Sequence, residues 1–252
     1  MTQNPSHRAA IPLPVALSLR GIHPQAALDL RGAAYMRHFI LSDGTVARTK
    51  VYAHRRRRSL LVTQISPSNA TSLPLVNTGA GGHPISADVH WNVTQQTIGG
   101  TQVHVWLGET KEAEITGGVR PTIAVIFPVD AVAVARKALA VITAVRTSLD
   151  GPDPVAMALA DYEAATRVSP DALYAEHEQE WSALWESGVE VRGRPDVARA
   201  INSSLYFLLS SLRKDVAHSV SPGGLASNGY NGHTFWDCET WMCVYTSVCV
   251  CW

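Results

Sequence analysis

The first 237 residues of this 252-residue chain contain no cysteine. All four cysteines, Cys238, Cys243, Cys249 and Cys251, fall in the last fifteen residues. A disulfide scaffold spreads its cysteines through the chain, so disulfides are not what shapes most of this fold. A structural zinc site favours Cys-x-x-Cys pairs with a second pair at a distance. Here four, five and one residues separate successive cysteines, and His233 is the only imidazole nearby. No metal ligand set and no cofactor are expected.

Net charge is also missing. Twenty-one basic residues balance 21 acidic ones, so nothing calls for nucleic acid or an anionic membrane as partner. Long apolar runs are absent. The most apolar region, residues 121–145, is interrupted by Pro128, Asp130, Arg136 and Lys137, whereas a spanning helix needs about 20 nearly uninterrupted apolar residues. The opening residues lack the basic start, apolar run and cleavage site of a signal peptide. The expectation is a soluble protein, with the cytoplasm favoured and the oligomeric state left open. Neither a Gly-x-Ser-x-Gly elbow nor a phosphate-cradling Gly-x-x-x-x-Gly-Lys loop occurs. Asn69, Asn92 and Asn202 begin glycosylation triplets, which carry little weight without a secretory signal.

What is present starts as strands. Apolar and polar residues alternate in short runs over 28–35, 36–41, 46–53, 60–65, 89–97, 101–108, 122–127 and 138–147, the period of a pleated strand with one face buried. Asp43-Gly44 and Gly99-Gly100 punctuate them as hairpin turns, since glycine accepts the positive φ a tight turn requires. So many strands at this spacing predict an antiparallel β-sandwich. Asp150-Gly-Pro-Asp-Pro154 then ends the pattern, and helical periodicity takes over. Helices are expected over 155–167, 170–186 and 195–214, with a last one starting near Thr234. Ser169 and Pro170 suit an N-cap and first helical position. Leu173, His177, Trp181 and Trp185 form one stripe, and Val197, Ile201, Leu205, Leu208, Leu209 and Leu212 form another.

One segment carries chemistry. Between Gly229 and Trp241 lie Tyr230, Phe235, Trp236 and Trp241 with His233, Asp237 and Glu239, among small residues. Aromatic faces cover the apolar C–H patches of a pyranose, and carboxylates accept hydrogen bonds from its hydroxyls. The structural alternative is that the tryptophans are core residues and Asp237 is a helix N-terminal carboxylate stabilised by the dipole.

The wording Gly-His-Thr-Phe-Trp-Asp-x-Glu-Thr-Trp resembles the start of the catalytic barrel of glycoside hydrolase family 65. That family holds acid trehalases, glucosylgalactosyl-hydroxylysine glucosidases and disaccharide phosphorylases. Further regions resemble it in the same order. They are Leu28 to Ile65 around Tyr52-Ala-His-Arg, Thr143-Ala-Val-Arg-Thr-Ser-Leu-Asp150, His177-Glu-Gln-Glu-Trp-Ser-Ala-Leu-Trp185, Ala200 to Leu209, and the approach from Ser221 to Asn228. The resemblance implies three parts: a β-sandwich over 1–150 lacking its first strands, a helical linker over 151–190, and the start of an (α/α)6 barrel over 191–252. It places Trp236 against the non-reducing glucose and Asp237 on its hydroxyls, with His233 and Glu239 nearby. It makes His177, Trp181 and Trp185 packing between sandwich and barrel.

The expected partner is an α-glucoside or oligosaccharide, cleaved with inversion. The catalytic residues are none of those in hand: the resemblance puts the acid and base beyond residue 252. The Cys-rich end departs from the family's continuation, so the chain reads as truncated and inactive as it stands. A phosphorylase of the same family, or a non-catalytic carbohydrate-binding module, is the alternative. Arg55 to Arg58 reads as a solvated strand end.

Overall fold

The computed structural model describes residues 9–19, 22–68, 75–113, 117–130, 139–213, 215, 220–222, 224, 230 and 233–236. They form two compact units, one over Ala9–Ser182 and one from Ala183 onward with the first eight residues.

In the first unit the ten strands are β1 (Leu17–Leu19), β2 (Ile22–Asp29), β3 (Ala34–Ile40), β4 (Val46–Ala53), β5 (Leu60–Pro67), β6 (Leu75–Asn77), β7 (Val89–Ile98), β8 (Thr101–Thr110), β9 (Thr122–Pro128) and β10 (Leu139–Thr147). Eight make one antiparallel sheet in the order β2-β3-β4-β5-β10-β9-β8-β7, and β1 pairs with β6. Alternation along β9 explains the layering. Ile123, Val125 and Phe127 enter one core with Trp106, Phe39, Ile65, Val15 and Leu17. Ala124 and Ile126 enter a second core with Val62, Tyr52, Ala158, Tyr162 and Leu173. The central strand is therefore buried on both faces, each large apolar side chain contributing about 1.5–3 kcal/mol. The N-terminal segment and β1 cover one face, and two helices cover the other.

Those helices are α1 (Pro154–Thr166) and α2 (Pro170–Trp185). Asp153 caps α1 by accepting from Ala156 N at 2.9 Å. Ser169 Oγ accepts from Ala172 N at 3.3 Å at the start of α2, as its sequence indicates. The antiparallel β architecture and the following helices match the expectation. Local differences have physical causes. The run over 28–35 is not one strand: Asp29 Oδ1 accepts from Arg31 N and Gly32 N at 3.0 and 3.1 Å, and Ala33 takes a φ of 48°. The chain therefore turns there. The Gly99-Gly100 turn has both residues at positive φ, 56° and 83°, the geometry that matches strand twist in a two-residue hairpin.

In the second unit, α3 (Pro195–Ser211) ends earlier than expected, because Leu212 is extended with ψ 144°. Of its residues only Leu209 is buried, and Phe207 is 52% exposed. The expected last helix lies outside the described residues, except that Thr234 to Trp236 are not helical.

Candidate functional site

The loop after α3 begins with a tight turn. Gly224 N donates to Ser221 O at 2.7 Å with Gly224 at φ 51°, a conformation glycine takes without strain. A Cβ at Gly224 would lie 3.2 Å from Ser211 Oγ, so the turn sits close against the end of α3. A second turn follows, in which His233 N donates to Tyr230 O at 3.0 Å and Tyr230 adopts φ 57°. This non-glycine residue in the left-handed region is held by its turn.

That turn gathers aromatic rings. Tyr230 meets Phe235 edge to face, with centroids 5.5 Å apart at 76°. His233 lies 6.5 Å from the same ring at 76°. Tyr230 is 63% exposed, Phe235 39% and Trp236 67%. So much aromatic surface in a few residues is unusual outside binding surfaces. Of the residues expected to bind sugar, the structure places His233 and Trp236 in this exposed segment. Asp237 and Glu239 lie outside the described residues. Tyr230 and Phe235 were legible as aromatics, but only the turn shows that they stack on one another and flank His233.

A second group of chemically capable residues lies in the first unit, between β4 and α2. Tyr52, His54, Tyr174 and His177 form a ring cluster, with His177 4.7 Å from Tyr52 and 5.8 Å from His54. His177 is fully buried. Its Nδ1 accepts from Arg55 N at 3.0 Å, so the proton sits on Nε2, which donates to Gly32 O at 3.0 Å. His54 accepts at Nδ1 from Arg57 N at 3.1 Å, and Glu176 Oε2 lies 3.8 Å from its Nε2. Burial pushes the His54 imidazole down to about 4, with His177 adding to the fall. Burial also lowers His177. Glu176 is held below the usual carboxylate range by the Arg57 guanidinium, whose Nε and Nη2 donate to it at 2.8 and 3.0 Å.

Two arginines of the 55–58 run are thus committed, and the solvated-end reading is corrected. Arg57 clamps α2 through Glu176, and Arg55 lies over the Trp181 ring at 5.4 Å. Only Arg56 and Arg58 are exposed. The cluster is closed to a substrate and fastens helix to sheet. Among the described residues, no group of three or more His, Cys, Asp or Glu is arranged to hold a metal ion.

No protein-family model matches the chain. Individual proteins do. The chain is 34% identical over 250 residues to the protein-glucosylgalactosylhydroxylysine glucosidase of Dictyostelium discoideum, covering 94% of this chain and 35% of that protein. It is 50% identical over 70 residues to a kojibiose hydrolase of Flavobacterium johnsoniae, covering 28% and 10% respectively. Among solved structures it resembles a candidate kojibiose phosphorylase from the human microbiome, with TM-score 0.66 and 17% identity over 91% of this chain and 32% of the other. The chain spans about a third of the length of the curated relatives it matches end to end.

Proposed function

We propose that this chain, a relative of the N-terminal region of glycoside hydrolase family 65 by sequence and by fold, supplies the sugar-holding wall of an enzyme that acts on α-linked glucose. The observation that carries the reading is the exposed group of Tyr230, His233, Phe235 and Trp236. It lies in the motif that resembles the family's sugar-binding segment. Trp236 stacks on the pyranose, and Asp237 accepts its hydroxyl protons. Each such hydroxyl contact to a charged acceptor is worth about 1.5–3 kcal/mol. His233 and Glu239 flank the sugar.

On this reading residues 1–150 are the sandwich, 151–190 the linker, and 191–252 the opening of a helical barrel. The reaction inverts the anomeric centre: a carboxylic acid protonates the leaving oxygen while an activated water attacks the opposite face. Neither group is assigned to a residue here. Asp237 and Glu239 bind and do not transfer protons, so the 252-residue chain alone is inactive. The relatives' names point to glucosylgalactosyl-hydroxylysine and kojibiose as substrates to try. The solved phosphorylase-like neighbour keeps phosphate in play as the acceptor instead of water.

The deciding assay incubates these two glycosides with the 252-residue chain and with a form extended over the length its relatives carry. The extended form releases glucose and the 252-residue chain does not. Glucose release by the shorter chain would overturn the assignment of its carboxylates to binding. Saturable glycoside binding by both forms, with no turnover by either, would instead favour a non-catalytic carbohydrate-binding module.

A further inference from the structure

The eight-stranded sheet is open, so β2 and β7 form its two edges, and they are built differently. An exposed edge offers a row of unpaired backbone N–H and C=O groups, and proteins guard such rows with proline, charge or a bulge. β2 is guarded. Pro24 removes a donor from it, and its pairing with β3 slips register between Ile22 and Gln25. β7 is not guarded. Its ten residues pair with β8 in unbroken register from Val89↔Thr110 to Ile98↔Thr101. From Val89 to Ile98 there is no Lys, Arg, Asp, Glu, Pro or Gly. Asn92, Thr94, Gln95, Gln96 and Thr97 are exposed, while Trp91 and Val93 lie half-buried against the rim of the first core.

We propose that β7 is the pairing edge for β7 of a second copy of this chain, the two strands running antiparallel about a two-fold axis. The chemistry favours an identical strand. Antiparallel self-pairing sets each neutral amide or hydroxyl side chain opposite another, with no like charges meeting, and cross-strand polar pairs of this kind are favourable. A highly charged partner would find no complement on this edge. Extension of the sheet would also cover the half-exposed flanks of Trp91 and Val93. A two-fold arrangement closes on itself and uses up the edge, which accounts for the lack of guarding residues.

Sedimentation of the full chain over about a hundredfold range of concentration tests this, together with amide hydrogen exchange at both ends of the range. The expected result is a doubling of mass, with β7 amides gaining about tenfold or more protection as concentration rises. The double variant N92K/Q96K, which places cations on two exposed positions, should lose both effects, while Ala27→Lys on β2 keeps them. A chain that stays monomeric overturns the proposal. So does an assembly in which β7 exchange is indifferent to concentration, or protection that survives the lysine pair. Either of those last two would mean that some other surface associates, or that the chain covers its own edge.

Discussion

His177 on α2 donates from Nε2 to the carbonyl oxygen of Gly32 in the β2–β3 turn, 3.0 Å away and 145 residues earlier in the chain. Through Nδ1 the same ring accepts from the backbone of Arg55, just after β4. One buried imidazole therefore fixes a helix to two turns of the sheet.

Replacing His177 with Ala removes a fully buried ring and leaves the Gly32 carbonyl and Arg55 N–H without partners. Lost packing and unsatisfied polar groups together should cost about 3–5 kcal/mol. Urea denaturation of the two proteins compares them directly. A loss below about 1 kcal/mol would mean that the ring is only filling space.

Acid should loosen the same region. His54 is neutral when folded because burial holds its imidazole at about 4, while in the unfolded chain it titrates near about 6.5. The unfolded state therefore binds the extra proton first. Stability from this group is complete above pH about 6.5 and is lost as pH falls toward about 4, of order 3 kcal/mol in all. Glu176, lowered by Arg57, adds a further loss as its carboxylate protonates below the ordinary range. His54→Gln should flatten the pH dependence between those limits. Denaturation midpoints at a series of pH values settle it, and a slope unchanged by the substitution would assign the acid sensitivity elsewhere.

Gly79 and Gly100 should respond differently to alanine. A Cβ on Gly79 would lie 2.7 Å from the backbone oxygens of both Leu13 and Pro14, where Ala80 N and Gly81 N donate to those same carbonyls at 2.9 and 3.0 Å. Backbone cannot swing aside as a side chain can, so Gly79→Ala should cost up to about 3 kcal/mol. Gly100 sits at φ 83° with nothing near its Cβ position, and its cost is the left-handed strain alone, about 1 kcal/mol. Thermal midpoints should therefore fall further for Gly79→Ala, and the reverse order would show that residues 13–16 yield easily.

How much of this was legible in the sequence depends on the length of each signal. β8 and β9 alternate over enough residues to reveal their faces, and Val103, Trp106 and Phe127 are buried as that pattern implies. β1 and β6 are three residues each, too short to show a period. The break after Asp29 was hidden because the apolar alternation runs on through the turn. The stripe of Leu173, His177 and Trp181 was visible on α2. The carbonyl it serves lies on another strand pair, and no local pattern encodes that. The aromatic segment could be read from composition as a sugar wall, yet the stacking of Tyr230 on Phe235 depends on a positive φ at Tyr230, which its residue type does not announce.

Trp236 offers the sharpest separation between binding and structure. At 67% exposure its ring has little core packing to lose, so Trp236→Ala should leave the denaturation midpoint nearly where it was, within about 0.5 kcal/mol. If the ring stacks on glucose, the same change removes a face that covers the sugar's C–H surface, worth about 1.4 kcal/mol or more. Affinity for a glucoside should then fall by about tenfold at least. Calorimetric titration with kojibiose and a thermal melt on the same samples read the two quantities independently. A lowered midpoint with affinity intact would make Trp236 a packing residue and move the sugar contact to Tyr230 or Phe235. Weakened binding at constant stability is the signature of a wall built to hold a sugar, and it would fix Trp236 as that contact.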